Sequence, residues 1–283
     1  MDQDLFTTTS YETARLVTNK YSTSFSKSSQ LFDVSIRKHI YAIYGLVRIA
    51  DEIVDTYKGS DMGEVLNDLE ASTLRSLKTG FNPNPLVHAF VTTAQKYAIG
   101  GDLITPFFDS MRMDIEPVEY TQKVYDTYIY GSAEVIGLMC LKVFCYDEQL
   151  KEAQSKQYKK LEEGAQALGA AYQKVNFLRD MKADHDERGR IYFPGVTFYD
   201  FDDAQKQAII KDIKKDFKKA RPAVAKLPLN ARKAVMLSFT LYKELLAKLE
   251  TTSAEEIKAH RIRVSTAKKL QLLVRNRFTN GGA

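Results

Sequence analysis

The 283-residue sequence has no tryptophan, two cysteines, 14 glycines and 7 prolines. Cys140 and Cys145 form neither a CxxC pair nor a Cys/His cluster. That excludes a disulfide framework and a structural zinc site, and it points to a reducing compartment. Scarce turn-forming residues in a chain of this length argue for long helices. Charge of one sign is also in short supply: 41 Lys and Arg against 36 Asp and Glu leave a net +5. Such a balance suits an anionic substrate or an anionic membrane surface, and we expect no nucleic-acid partner. The longest uninterrupted apolar runs, such as 135–141, are only seven or eight residues, against about 20 for a membrane span. The N-terminal segment MDQDLFTTTS is acidic and lacks an apolar stretch, so no secretory signal is expected. These absences together predict a cytoplasmic protein that at most rests peripherally on the inner membrane. No feature of the sequence sets an oligomeric state.

Apolar residues, by contrast, are plentiful at 44%, with 16 Tyr and 15 Phe among them. Helical periodicity runs through 10–20, 34–57, 62–79, 85–99, 102–113, 119–145, 148–188, 202–226, 229–250 and 254–277. Breaks fall at turn-forming sequences such as Asn82-Pro-Asn-Pro85, Gly100-Gly101, Glu116-Pro117, Phe193-Pro-Gly195 and Leu227-Pro228. Alternating strand patterns are nearly absent. The pattern predicts one all-α domain over 1–283.

Two of these helices carry repeated acidic faces. Tyr41, Tyr44, Arg48, Asp51 and Asp55 are spaced 3, 4, 3, 4 and share one stripe. Gly169, Gln173, Asn176, Asp180 and Asp184 are spaced 4, 3, 4, 4 and do the same. A single i, i+4 acidic pair is usually a solvated face, and Arg48 or Arg188 beside it an ordinary helix ion pair. Two such pairs in one all-α chain, each continued by polar or aromatic residues, are a different matter. Carboxylates of this kind suit Mg²⁺ (or Mn²⁺), which takes oxygen ligands from one or two carboxylates plus substrate phosphates. The chemistry that uses this pairing is ionisation of an allylic diphosphate, with cations neutralising the departing anion. The carbocation left behind needs a dry pocket with aromatic faces. Tyr41, Tyr44, Tyr128, Tyr130 and Tyr172 are candidates, and core packing explains each of them equally well.

The motifs around these faces resemble the squalene/phytoene synthase family. Tyr21-Ser-Thr-Ser-Phe-Ser26 is similar to its N-terminal substrate motif, and Tyr44-Gly-Leu-Val-Arg-Ile-Ala-Asp-Glu-Ile-Val-Asp55 to its first aspartate motif. Tyr128-Ile-Tyr-Gly-Ser-Ala-Glu134, continuing to Met139, resembles its central helix. Gly169 to Asp184, followed by Gly189-Arg-Ile-Tyr-Phe-Pro194, resembles its second aspartate motif and the loop after it. Ser238-Phe-Thr-Leu-Tyr242 and Arg261-Ile-Arg-Val-Ser265 fit its C-terminal pattern. The sequence departs from the family at Thr23, where many members carry Lys and where Lys20 or Lys27 stands nearby. It departs again at Ala183 and at Glu134, an acid that either pairs elsewhere or reshapes the cavity.

The resemblance implies an isoprenoid synthase fold with a central cavity between the two aspartate-bearing helices. It implies head-to-head (1′-1) condensation of two prenyl diphosphates through a cyclopropylcarbinyl diphosphate. By position, Asp51, Asp55, Asp180 and Asp184 hold the Mg²⁺–diphosphate clusters and Arg48 binds diphosphate. Gln173 and Asn176 line the reaction centre, and Phe25, Ser26, Tyr44 and Tyr242 contact substrate. Arg190 and Arg263 are further phosphate candidates. Among family activities we expect phytoene formation from two C20 units in carotenoid synthesis. The alternatives are squalene or dehydrosqualene formation from two C15 units, or a non-catalytic scaffold. No dinucleotide-binding GxGxxG turn follows a strand, so no NADPH is expected. The Lys-rich stretch 211–221 is either a solvated helix face or a contact for anionic lipid.

Overall fold

The computed structural model describes residues 3–116, 118–146 and 156–278, and every regular element in them is helical. The first half comprises α1 (Gln3–Tyr21), α2 (Thr23–Ser29), α3 (Val34–Asp55), α4 (Met62–Thr79), α5 (Pro85–Tyr97) and α6 (Gly101–Arg112). A central rod follows: α7 (Gln122–Ile129), one π-helical turn (Tyr130–Glu134) and α8 (Val135–Phe144). The second half comprises α9 (Lys156–Arg188), α10 (Asp203–Lys226), α11 (Leu229–Thr251), α12 (Ala254–Ala259) and α13 (Thr266–Phe278).

Local chemistry sets the ends of these helices. Asp33, Asn84, Thr121 and Asp202 each accept a backbone N–H at a helix start, and Ser253 with Glu256 forms a capping box. Gly80 closes α4 in the left-handed region at φ 78°. One expected helix, 254–277, is two. His260 leaves helical geometry at φ −160°, and 260–265 is non-helical, with Ile262 buried. The expected start of the long helix, 148–155, and the turn residue Pro117 lie outside the described residues.

A continuous apolar cluster joins Phe32 at one end of the chain to Ile262 at the other. Its axis is the rod Gln122–Phe144, half of which is buried inside the bundle although its length and composition would suffice to cross a membrane. The rod and α9 approach backbone to backbone. A Cβ at Gly169 would stand 2.5 Å from the Ala133 carbonyl oxygen, and one at Gly137 would stand 2.6 Å from that of Ala165. Small residues upstream of the second aspartate pair therefore set the spacing of the two central helices, and with it where Asp180 and Asp184 come to lie.

Candidate active site

The aspartate pairs sit near the C-terminal ends of α3 and α9 and are drawn together by arginines. Arg188 forms ion pairs of 3.1 Å with both Asp55 and Asp184. Arg190, from the loop after α9, donates to Asp55 Oδ1 at 2.9 Å and to the Val54 carbonyl at 3.2 Å. Asp180 is gripped by the adjacent Arg179 (Nε to Oδ1, 2.8 Å) and by Arg261 (Nε to Oδ1, 2.7 Å). Arg48 pairs closely with Glu52, lies 3.9 Å from Asp51 and covers the Tyr21 ring at 4.4 Å. Asp51 is the acid with least local compensation. Burial, and then the charge of Asp55, push its carboxyl up to about 7. Burial, and then Asp180, push Asp184 up to about 7 as well. Asp51, without a close counter-charge, is the acid whose burial a divalent cation would offset most.

Aromatic pairs line the space beside the acids. Phe25 stacks on Tyr44 at 5.3 Å, and Tyr172 stacks on Tyr242 at 3.9 Å. The Tyr242 hydroxyl donates to Asn176 Oδ1 at 3.3 Å, and Gln173 lies half-buried one turn before Asn176 on the same helix. Burial pushes the Tyr44 hydroxyl and the Cys140 thiol up to about 12, yet both side chains belong to residues that keep accessible surface. Leu138 and Ile136 of α8 pack partly buried against the core.

Several sequence expectations change here. Arg188 is more than an i, i+4 pair with Asp184, because it also reaches Asp55 on the other helix. Of the two C-terminal arginines, Arg261 touches Asp180, while Arg263 is exposed nearby. The Ser26 hydroxyl donates to Asn19 Oδ1 at 2.6 Å, turned toward α1. Tyr128 commits its hydroxyl to Asp114 at 2.7 Å. Glu134 pairs elsewhere: Gln166 Nε2 donates to it at 3.0 Å, beside Lys174 and Asp216. The side chain of Thr23 lies outside the described ones. Lys27 adds its charge to a group with Arg179, Arg261, Arg263 and Lys269. In that group burial and mutual repulsion hold Lys269 below the ordinary lysine range.

Sequence reasoning missed Asp114. It follows α6 in Met111-Arg-Met-Asp114, with no helical partner to flag it, yet its side chain is only 4% exposed and lies 3.5 Å from Arg190. Burial pushes its carboxyl up to about 6 against the opposing pull of Arg190. Among the described residues, no three His, Cys, Asp or Glu side chains converge as a protein-only metal cage. The acids are arranged as pairs, a donor set that fits a hard cation completed by phosphate oxygens.

The squalene/phytoene synthase family profile matches residues 18–268. The phytoene synthase of Arthrospira platensis is 30% identical over 93% of this chain and 91% of its own length. The chloroplastic phytoene synthase 3 of Zea mays is 28% identical over 91% of this chain, which spans 63% of that longer relative. Among solved structures, a dehydrosqualene synthase superposes with TM-score 0.80 at 20% identity over 98% of both chains. A squalene synthase from Alicyclobacillus acidocaldarius gives 0.72 at 20% identity over 89% of this chain and 95% of its own. The two structural likenesses establish the all-α isoprenoid synthase fold. From the profile and the cyanobacterial relative it follows that the chain belongs to the squalene/phytoene synthase family, a family of prenyltransferases.

Proposed function

We propose that the protein condenses two geranylgeranyl diphosphates head to head into phytoene, as a Mg²⁺-dependent step of carotenoid synthesis. The observation that carries this reading is the meeting of two carboxylate pairs from separate helices in one arginine-rich site. Asp51 with Asp55 and Asp180 with Asp184 would hold the divalent cations, which supply Lewis-acid neutralisation of the diphosphates. Arg48, Arg179, Arg190 and Arg261 orient the diphosphates and offset charge as each C–O bond breaks. The bond's electron pair leaves with the phosphate oxygen, and the allylic cation is held between the Phe25–Tyr44 and Tyr172–Tyr242 stacks. Gln173 and Asn176 lie at the reaction centre. The final cation loses a proton to a nearby oxygen, the departed diphosphate being the nearest base, and no reductant is consumed. Overall, two prenyl diphosphates give one hydrocarbon, two diphosphates and two protons. The choice of C20 units rests on the likeness to phytoene synthases.

A C40 hydrocarbon product would have to pass into a membrane, and peripheral contact with one is part of this proposal. Two of the lysines expected to touch lipid are already used, Lys214 by Glu250 and Lys215 by Asp212. A groove of about 660 Å³ lies nearby, with Leu161, Pro222 and Ala223 among its walls. Lys160, Lys219, Lys226 and Arg232 face it against the single acid Glu163. The basic lining of this groove suits anionic headgroups on the inner membrane.

The test is to incubate purified protein and Mg²⁺ with C20 or C15 diphosphate, with and without NADPH, and to identify the hydrocarbon by mass spectrometry. A C40 product formed at the same rate without NADPH is expected. A C30 product overturns the substrate choice, and NADPH-dependent squalene overturns the cofactor expectation as well.

A further inference from the structure

Asp114 belongs to neither aspartate pair, and nothing in the reaction described above uses it. Its carboxylate accepts the Tyr128 hydroxyl at 2.7 Å and the Tyr192 hydroxyl at 3.1 Å, and it lies 3.5 Å from Arg190 Nη1. The same Nη1 donates to Asp55 Oδ1 at 2.9 Å. The two tyrosines are themselves fixed. Tyr192 stacks on Phe177 at 3.9 Å with the rings 10° apart, and Tyr120 and Tyr128 each contact it at 5.2 Å. A buried polar group needs its hydrogen bonds, and a buried carboxylate needs a cation too. Two neutral hydroxyls satisfy the first requirement, and Arg190 is the cation in reach for the second.

We propose that Asp114 is the positioning residue for Arg190. Held by Tyr128 and Tyr192, it fixes the guanidinium beside Asp55 and retains it in the site when Asp55 turns to a cation. The logic is one of shared partners. Arg190 reaches the first aspartate pair from a loop, at the end of a long side chain with much rotamer freedom to lose. Arg190 Nη2 is held by main-chain carbonyls, Val54 at 3.2 Å and Asp114 at 2.5 Å, but Nη1 faces the two carboxylates and the Tyr192 hydroxyl, and a divalent cation arriving at Asp55 would take away its nearer anion just when diphosphate needs that nitrogen. Asp114 stands back from the pair, so its hold on Arg190 survives that exchange. The acid thereby keeps the Nη1 edge of this main-chain-anchored arginine in place as a preorganised donor, the condition under which a charge-assisted contact to phosphate is most effective.

The inference rests on the proposed function for its ligand, so the test reads binding rather than turnover. Calorimetric titration with Mg²⁺ plus inorganic pyrophosphate is performed on the wild type, Asp114→Asn, Arg190→Gln and the double variant. If Asp114 acts through Arg190, each single change weakens binding about tenfold and the double variant is no weaker than about tenfold. A loss near a hundredfold in the double variant, or unchanged binding by Asp114→Asn, overturns the proposal. Should Asp114→Asn fail to fold, as judged by circular dichroism, Tyr128→Phe serves instead. It should weaken binding about threefold in the wild-type background and not at all with Arg190→Gln. An equal effect in both backgrounds overturns the proposal. A wild type that shows the coupled pattern yet makes no hydrocarbon would refute the condensation reading while leaving the role of Asp114 in place.

Discussion

Asp51 and Asp55 are one helical turn apart, yet replacing each by Asn should move stability in opposite directions in metal-free protein. The Asp51 carboxyl binds its proton more tightly in the folded chain, at about 7, than at its ordinary 3.8. Folding is therefore penalised as pH rises from about 4 to about 7, and the penalty is complete above that range. At about 1.4 kcal/mol per tenfold change in proton affinity, the full effect is about 4 kcal/mol. A third of the Asp51 side chain remains accessible, and solvent screening reduces the figure to about 2 kcal/mol. Asn mimics the protonated acid at every pH, so Asp51→Asn recovers that energy at pH 8. For a chain of this size, about 2 kcal/mol corresponds to a rise in Tm of about 3 °C. The gain should shrink to about 1 °C at pH 5, where the folded acid is already protonated. Asp55 is the counter-case. It is paired with Arg188 at 3.1 Å and Arg190 at 2.9 Å, both largely buried. Asp55→Asn strips both guanidiniums of a partner and should lower Tm by a similar amount. Scanning calorimetry in EDTA at the two pH values decides the matter. A fall in Tm for Asp51→Asn at pH 8, comparable with that of Asp55→Asn, refutes the view that Asp51 is an uncompensated charge awaiting a cation.

Three further outcomes follow from the same geometry. Asp180→Asn should reduce turnover by at least ~10²-fold with the fold intact by circular dichroism, and wild-type activity should vanish in EDTA and return with Mg²⁺ or Mn²⁺; an Asp180→Asn variant as active as wild type would make the second acidic face purely structural. Reversing Lys160, Lys226 and Arg232 to Glu should weaken sedimentation with phosphatidylglycerol vesicles and spare activity in detergent, whereas reversing the paired Lys214 and Lys215 should do less; equal effects would show that the groove has no special part in membrane contact.

The features legible in the sequence are those written at helical spacing. Asp51 with Asp55 and Asp180 with Asp184 could be found because α3 and α9 repeat every 3.6 residues and put each pair on one face. The starts of α3, α5 and α10 were legible from the same periodicity, and the structure adds the capping side chains Asp33, Asn84 and Asp202. What could not be read depends on neighbours distant in sequence. Arg188 has the spacing of an intrahelical pair, and only the packing of α9 against α3 reveals its hold on Asp55. Asp114 stands in a connection with no period to give it a partner, and its tyrosines come from 14 and 78 residues away. Arg261 and Arg263 flank the buried Ile262 alike, and tertiary approach alone selects Arg261 for Asp180. The lysines of α10 read as a free basic face until α11 and α9 bring Glu250 to Lys214 and Lys174 to Asp212.

The central claim is that two acidic faces on separate helices act together on one cation–diphosphate assembly. Anomalous diffraction from crystals grown with Mn²⁺ and a non-reactive thiolo-diphosphate analogue of geranylgeranyl diphosphate tests it most directly. The account predicts Mn²⁺ peaks within bonding distance of carboxylates from both the Asp51/Asp55 and the Asp180/Asp184 pairs, bridged by diphosphate oxygens. Mn²⁺ on one pair alone, or diphosphate seated away from both, would contradict it.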